Sequence, residues 1–114
     1  TVWVGAPIRD LALANGIAYV LTSDGTVSVI DLSTDSLTDT VEVGHAPTQM
    51  ALNSTGTRAY IVDRDRVAVL CTASLEIVDS ITVDAQLSCA ALSYDDSRLF
   101  VADYAGRVSA FPAA

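Results

Sequence analysis

The feature that most constrains the fold of this chain is an internal repeat of about 40 residues. An aromatic residue stands in an apolar stretch three times, at Tyr19, Tyr60 and Phe100, with steps of 41 and 40 residues. A shorter apolar triplet precedes each of these stretches at residues 11–13, 50–52 and 90–92. A fixed period of this length is the signature of a chain that stacks similar structural units, so the repeat sets the architecture before any single residue does.

Each repeat divides into four short apolar segments, predicted as strands A, B, C and D from the inner edge outward. The segments are separated by turn pairs: Asn15-Gly16, Asp24-Gly25, Thr55-Gly56, Asp95-Asp96 and Ala105-Gly106. Asn-Gly and Asp-Gly between apolar runs indicate tight hairpins, because those turns need residues that tolerate positive φ. No segment sustains a helical period, so almost no helix is expected.

The apolar pattern differs between the predicted strands. Strands B and C are apolar or small on both faces, as at residues 18–21 and 67–70, which is typical of strands that are covered on both sides. Strand D alternates, with Val41 and Val43 inward and Thr40 and Glu42 outward. This decrease in burial from strands B and C to the outer strand D predicts an all-β fold, a β-propeller with about three four-stranded blades. A β-sandwich and an open β-solenoid are the alternatives, but a sandwich would not repeat every 40 residues.

The second repeat resembles the YVTN-type β-propeller repeat family. The resemblance lies in Pro47 before an apolar triplet, a polar glycine turn, and then residues 59–63, Ala-Tyr-Ile-Val-Asp. Cys71, Asp84 and Phe100 depart from the family's usual Asp, Gly and Tyr. The resemblance implies an extracytoplasmic or cell-surface location, although a cytoplasmic one is not excluded. It does not select a reaction, because this family spans structural, adhesive and enzyme-associated proteins.

The order in which strand types A to D follow one another along the chain predicts how the chain is divided and assembled. Residues 1–5 match the strand D sequence of residues 40–44, so they are expected to form a clasp strand without a blade ahead of them. Blade 1 is then residues 6–44, blade 2 residues 45–84, and blade 3 residues 85–114 with strands A to C alone. Since propellers close with about four to eight blades, three cannot close. Either a second copy completes a six-bladed homodimer by strand exchange, or the missing blades belong to a longer parent.

Charge and motifs exclude several classes of function. The net charge is −8, and all six basic residues are Arg, so a nucleic acid partner is not expected. No apolar run reaches the roughly 18 residues of a membrane helix, so no membrane insertion is expected. No cofactor fingerprint or catalytic motif is present, and no cofactor is predicted. Cys71 and Cys89 are expected to be buried small hydrophobes without a disulfide.

The B–C and D–A connections of a propeller share one end of the sheets, around the mouth of the central channel. The residues predicted there form a candidate binding face: Asp24, His45, Arg64, Asp65, Asp84 and Tyr104. Because nothing catalytic accompanies the repeat, the first hypothesis is a non-enzymatic scaffold or binding module for a protein, peptide or glycan. The alternative is a metal-dependent, lactonase-like hydrolase, whose ligands would come from Asp24, Asp65 and Asp84. A third possibility is a fragment of a longer propeller with no activity alone.

Overall fold

A computed structural model describes residues 2–83, 85–93 and 95–113 of the chain, and every regular element in those ranges is a β-strand. None of the described residues forms a helix that is long and apolar enough to cross a membrane. The strands are β1 (Ile8–Ala14), β2 (Ile17–Thr22), β3 (Thr26–Asp31), β4 (Ser36–Glu42), β5 (Pro47–Leu52), β6 (Arg58–Asp63), β7 (Arg66–Cys71), β8 (Glu76–Thr82), β9 (Leu87–Leu92), β10 (Arg98–Asp103) and β11 (Val108–Pro112).

The strands form three antiparallel meanders, one for each sequence repeat. The first sheet has the order β1-β2-β3-β4, the second β5-β6-β7-β8, and the third β9-β10-β11. We call these sheets blades 1, 2 and 3. Within each blade the second and third strands pair in the same register, with Tyr19 opposite Val29, Tyr60 opposite Val69, and Phe100 opposite Ala110. The strands predicted from the repeat are therefore confirmed, and β1, β5 and β9 lie side by side as the inner strands.

The turns between the strands adopt the backbone conformations that the sequence predicts. Asn15 and Gly16 both have positive φ, 54° and 76°, as the tight turn between β1 and β2 requires. Gly25 has a φ of 91°, and its carbonyl oxygen accepts hydrogen bonds from the amides of Val43, at 2.8 Å, and Gly44, at 3.3 Å. The B–C turn of blade 1 is therefore tied to the residues that lead from blade 1 into blade 2.

The core consists of the layers between neighbouring blades. We call the side of a blade that faces the following blade its forward face, and the opposite side its rear face. The forward face of blade 1 packs on the rear face of blade 2, and both contribute to one buried cluster: Tyr19, Leu21, Val27, Val29, Val43, Met50, Ala59, Ile61, Ala68 and Leu70. The forward face of blade 2 packs on blade 3 in a second cluster: Tyr60, Val62, Val67, Val69, Val83, Leu87, Ala90, Leu99 and Val101.

Hydrogen bonds that involve side chains also join neighbouring blades, both within the inner strands and in the turns that follow them. The Asp10 carboxylate accepts from the amide of Met50 at 3.0 Å, and the Gln49 side-chain oxygen accepts from the amide of Ala90 at 2.7 Å. In the turns that follow β1 and β5, the Asn15 side chain donates to the Thr55 carbonyl oxygen at 3.1 Å. Asn15 and Thr55 lie 40 residues apart, and Gln49 and Ala90 lie 41 apart, so one repeat separates each pair.

The prediction that strands B and C are covered on both faces holds for blades 1 and 2 and is wrong for blade 3. Val27 and Val67 are fully buried, whereas Val108, the equivalent residue of blade 3, is 67% exposed. Phe100 is exposed as well, although the equivalent Tyr60 is buried. The physical reason is that no blade among the described residues covers the forward face of blade 3.

Residues 2–5 form no strand, but Val2 and Val4 pack against a small cluster on the rear face of blade 1, made of Ala18, Val20 and Ile30. Thr1 and Ala114 lie outside the described residues. Whether residues 1–5 pair as a clasp strand therefore stays a prediction, as does the predicted division of the chain.

The two cysteines are free, as expected, but their predicted burial is wrong. Cys71 ends β7 and is half-buried. Cys89 lies in the inner strand β9 and is exposed, since it points to the uncovered side of blade 3.

Candidate functional site

The B–C and D–A connections lie together at one end of the blades and hydrogen-bond to one another. The Arg64 carbonyl oxygen accepts from the amide of Leu87 at 2.8 Å, and the Asp65 carbonyl oxygen accepts from the amide of Val83 at 2.7 Å. In blade 3 the amide of Tyr104 donates to the Gln86 carbonyl oxygen at 3.1 Å. These backbone bonds fix the loops as one surface, which we call the mouth face.

Five of the six residues predicted for the binding face lie in these connections: Asp24, His45, Arg64, Asp65 and Tyr104. All five side chains are exposed, so they are available to a ligand from solvent. Asp84, the sixth predicted residue, lies outside the described residues. Arg64 has a φ of 59°, which places a non-glycine residue in the left-handed region at the tip of the B–C turn of blade 2.

Asp63 organises the mouth face, and sequence reasoning did not assign it to the site. It ends β6 with a side chain only 3% exposed, and its carboxylate accepts from the amides of His45, at 3.2 Å, and Ala46, at 2.9 Å. Arg66 adds an ion pair at 3.3 Å. Burial opposes ionisation of Asp63, but the two amides and the Arg66 guanidinium outweigh it and lower the pKa of this carboxyl. The sequence signal was the recurrence of Asp at the end of strand B, at positions 63 and 103.

Asp103, the equivalent of Asp63 in blade 3, binds a different set of donors. It accepts from the amides of Ala105, at 3.0 Å, and Arg107, at 2.9 Å, and the Arg107 Nε lies at 3.2 Å. The amide of Arg107 is the main cause that lowers the pKa of the Asp103 carboxyl. Asp103 therefore orders its own turn, whereas Asp63 holds the connection that enters its blade.

The Asp24 carboxylate accepts hydrogen bonds from within its own B–C turn. One carboxylate oxygen accepts from the hydroxyls of Thr22 and Thr26, the latter at 2.9 Å, and these bonds, that of Thr22 first, lower the pKa of Asp24. Among the described residues no group of three or more His, Cys, Asp or Glu side chains is arranged to hold a metal ion. The metal set predicted from Asp24, Asp65 and Asp84 includes a residue outside that range, so it stays a prediction.

A cavity of about 690 Å³ opens on the mouth face beside blade 3. Its walls come from the connection before β9 and from the B–C turn of blade 3: Ala85, Gln86, Asp103, Tyr104, Ala105 and Arg107. The volume falls in the range of about 300–1,000 Å³ that is usual for small-ligand sites. Gln86 and Arg107 are additions to the predicted face, and sequence reasoning missed them because neither position carries a recognisable motif.

Comparison with known proteins agrees with this arrangement of sheets. No family model matches the chain. The seven-bladed β-propeller protein Rv1057 of Mycobacterium tuberculosis is 36% identical over 118 residues, an alignment that covers 96% of this chain and 30% of that protein. The chain is built of β-propeller blades. It spans about a third of the length of the proteins it matches, so it corresponds to part of a propeller.

Two solved structures show the same stack of blades. Hydrazine synthase of Kuenenia stuttgartiensis superposes with a TM-score of 0.86 at 18% identity, over 97% of this chain and 34% of that one. The Cps50 (Swd1) β-propeller domain of Myceliophteria thermophila superposes with a TM-score of 0.82 at 12% identity, over 95% of this chain and 36% of that one. At these identities the likeness concerns the fold alone, and the predicted β-propeller is confirmed.

Proposed function

We propose that this chain is a non-enzymatic β-propeller module that binds a protein, peptide or glycan at its mouth face. The observation that carries the proposal is the aromatic side chain of Tyr104, 69% exposed at the rim of the 690 Å³ cavity. An exposed aromatic ring beside amide and guanidinium donors, here those of Gln86 and Arg107, suits sugars and peptides, which offer both apolar faces and hydrogen-bonding groups.

The rigidity of the mouth face supports the same role. The backbone bonds between connections, together with the Asp63 carboxylate on the amides of His45 and Ala46, hold the loops before any ligand arrives. A pre-organised surface loses less conformational entropy on binding, so its contacts contribute more fully to affinity. A scaffold that fixes its loops in this way is suited to recognition.

The repeat sequence supports two further parts of the proposal. The Ala-Tyr-Ile-Val-Asp run at residues 59–63, which forms most of β6, is the basis for placing the chain in the YVTN-type repeat family. The resemblance to that family is the reason for proposing an extracytoplasmic or cell-surface location. The net charge of −8 suits a partner that is neutral or basic.

The binding proposal is tested with two arrays, one of oligosaccharides and one of unmodified peptides, probed with the fluorescently labelled chain. A compound that binds is then titrated against the Tyr104→Ala variant, and we expect affinity to fall about tenfold or more, as for loss of an aromatic anchor. Trp3→Ala is the matched control, because Trp3 is also a highly exposed aromatic residue but belongs to the N-terminal segment. Equal affinity of the Tyr104 variant and the unmodified chain, or an effect confined to Trp3, would contradict the proposed site.

A further inference from the structure

The turn between β1 and β2 contains the pair Asn15-Gly16 and lies at the end of the blades opposite the mouth face. The chain has two asparagines, Asn15 and Asn53, and only Asn15 is followed by glycine. An asparagine before glycine loses its side-chain amide readily, because glycine has no side chain to hinder attack by its backbone nitrogen. Asn15 is exposed, so water reaches it. The pair is therefore a candidate for a spontaneous chemical modification.

The modification, deamidation, proceeds through a five-membered ring. The backbone nitrogen of Gly16 attacks the side-chain carbonyl carbon Cγ of Asn15, and a new C–N bond forms while the bond from Cγ to Nδ2 breaks. The Gly16 nitrogen gives up its proton, and Nδ2 leaves as ammonia. Water then opens the cyclic imide at either of its two carbonyl carbons, which leaves an aspartyl or an isoaspartyl residue at position 15. Water is the only reagent that the reaction consumes.

The folded turn holds the reacting atoms apart. Ala14 pairs with Ile17, so Asn15 and Gly16 form a two-residue hairpin loop, and their φ values of 54° and 76° make it a type I′ turn. The first central residue of such a turn has a ψ of about +30°. This angle places the Gly16 nitrogen on the side of the Asn15 Cα–C bond opposite to Cβ. Ring closure needs that nitrogen beside Cβ, so the Asn15 backbone must first rotate.

Two hydrogen bonds oppose this rotation. Asn15 Nδ2 donates to the carbonyl oxygen of Thr55 in blade 2 at 3.1 Å. The Gly16 carbonyl oxygen accepts from the amide of Leu32 in blade 1 at 3.0 Å. The first bond holds the side chain and the second holds the backbone of the loop. Because Nδ2 is the atom that leaves as ammonia, its bond to blade 2 must break before the ring closes.

Blade 2 also packs directly against the Asn15 side chain. Gly56 follows Thr55 and is buried. A Cβ built on Gly56 would lie 3.1 Å from Asn15 Nδ2 and 2.7 Å from the Cβ of Ala14. The position of the Asn15 amide therefore depends on the contact between the first turns of blades 1 and 2.

We propose that Asn15 is a latent deamidation site, protected while the first turns of blades 1 and 2 are in contact and reactive when that contact opens. Local opening breaks the bond to Thr55 and frees the loop to leave the type I′ conformation. Opening and closing of a turn are fast compared with the chemical step. The rate of deamidation therefore follows the fraction of chains in which the turn is open.

The product prevents the same contact from forming again. An aspartate at position 15 has no side-chain N–H to donate, and its carboxylate would face the Thr55 carbonyl oxygen, which is also an acceptor. An isoaspartyl residue adds a methylene group to the backbone of a two-residue loop, and the length of that loop sets the register of β1 with β2. Deamidation therefore makes a reversible opening between blades 1 and 2 permanent.

The experiment compares the rate of deamidation at Asn15 in the folded chain and in the chain unfolded in urea, at the same mildly alkaline pH and the same temperature. Trypsin releases residues 10–58 as one peptide, and its fragment mass spectra distinguish Asn15 from Asn53. We expect Asn15 to react about tenfold more slowly, or slower still, in the folded chain. Equal rates in the two conditions would overturn the proposal.

Gly56→Ala is designed to remove the protection. The added methyl group displaces the Asn15 amide from Thr55, so we expect deamidation of the folded variant to be about fivefold faster or more. Gly106→Ala is the matched control, because Gly106 also has a positive φ, 98° against 73° for Gly56, but a Cβ there meets nothing within 4 Å. Its rate should equal that of the unmodified chain. An equal rise in both variants, or no rise in folded Gly56→Ala, contradicts the proposed protection.

Asn15→Asp tests the consequence of the reaction and does not depend on the folding of the Gly56 variant. Asp-Gly favours the same type I′ turn as Asn-Gly, so this substitution changes the bond between the blades and keeps the turn preference. We expect the urea midpoint of unfolding to be lower than that of the unmodified chain. An unchanged midpoint would show that the contact forms again after deamidation, and the proposed permanence would be wrong.

Discussion

Replacement of Asp63 by Ala is expected to loosen the junction between blades 1 and 2. The Asp63 carboxylate is the acceptor for the amides of His45 and Ala46 and for the guanidinium of Arg66. Without it, two partly buried amides in the connection that enters blade 2 lose their partner. The Ala46 bond, at 2.9 Å, is the shorter and is expected to contribute more than the His45 bond at 3.2 Å.

The size of the effect follows from the number of groups left without a partner. An unsatisfied buried donor costs about 1–3 kcal/mol, and both amides are only partly buried, so we expect a loss of about 2–4 kcal/mol in the free energy of unfolding. For a domain of this size, that loss lowers the melting temperature by roughly 10–20 °C. Asp63→Asn keeps a neutral oxygen and loses the charge, so about half of this effect is expected.

The effect has a pH dependence whose sign is fixed by the lowered pKa of Asp63. The folded carboxyl has a pKa below its usual 3.8, so near that pH the unfolded chain binds more protons than the folded one. The stabilisation is complete above about pH 5 and is lost as the pH falls through the folded pKa. The difference in stability between the unmodified chain and Asp63→Asn should therefore shrink between about pH 5 and pH 2.5.

The assay is urea denaturation followed by circular dichroism at several pH values. Asp39→Asn is the control, because Asp39 is exposed on the outer strand β4, and we expect a change within about 0.5 kcal/mol. If Asp63→Ala unfolds within about 0.5 kcal/mol of the unmodified chain, the carboxylate does not hold the connection and the reasoning is refuted. If the difference in unfolding free energy between the unmodified chain and Asp63→Asn stays constant down to pH 2.5, the electrostatic part of the reasoning alone is refuted.

Two further predictions concern single turns. Gly25→Ala should destabilise the chain by about 3 kcal/mol or more in the same urea assay. The reason is that a Cβ at this position would overlap the Gly44 carbonyl oxygen, and the φ of 91° disfavours any side chain. An unchanged urea midpoint of unfolding would contradict this prediction. The Ser74 hydroxyl is the main cause that lowers the pKa of the Cys71 thiol to about 7, so alkylation of Cys71 by iodoacetamide should be half-maximal near pH 7. Ser74→Ala should move that midpoint upward, and Cys71→Ser, which leaves only Cys89, gives the background rate.

The repeat predicted the strands well because the pairing of the second and third strands recurs in every blade, and in blades 1 and 2 the burial of equivalent residues recurs as well. Tyr19 and Tyr60 occur in the same register and are buried in equivalent layers, so the same sequence pattern predicted the second strand correctly in both blades. The alternation of Val41 and Val43 with polar neighbours also placed the outer strand correctly, with Val43 buried and Glu42 exposed. Local pattern is sufficient where the neighbouring blade is part of the same chain.

The burial of single residues and the organisation of the mouth face depend on contacts between residues that are far apart in the sequence. Cys89 was expected to be buried as a small hydrophobe, but on the forward face of blade 3 burial needs a following blade. The recurrence of Asp at positions 63 and 103 marks the end of strand B, but the role of Asp63 becomes clear only from the bonds that its carboxylate accepts from the amides of His45 and Ala46. The loops of the mouth face are held by backbone hydrogen bonds such as that between Arg64 and Leu87. These bonds do not depend on the identity of the side chains, so the sequence does not predict them.

The bonds that cross from blade to blade, such as Asn15 with Thr55 and Gln49 with Ala90, also determine how the chain can come apart. Because these bonds and both buried clusters join only adjacent blades, the free energy of unfolding is close to a sum of terms for each blade and for each pair of neighbours. The middle blade takes part in two such pairs and each end blade in one. Amide hydrogen exchange should therefore be slowest in β6 and β7 and faster toward both ends, so the single chain loses structure from its ends inward.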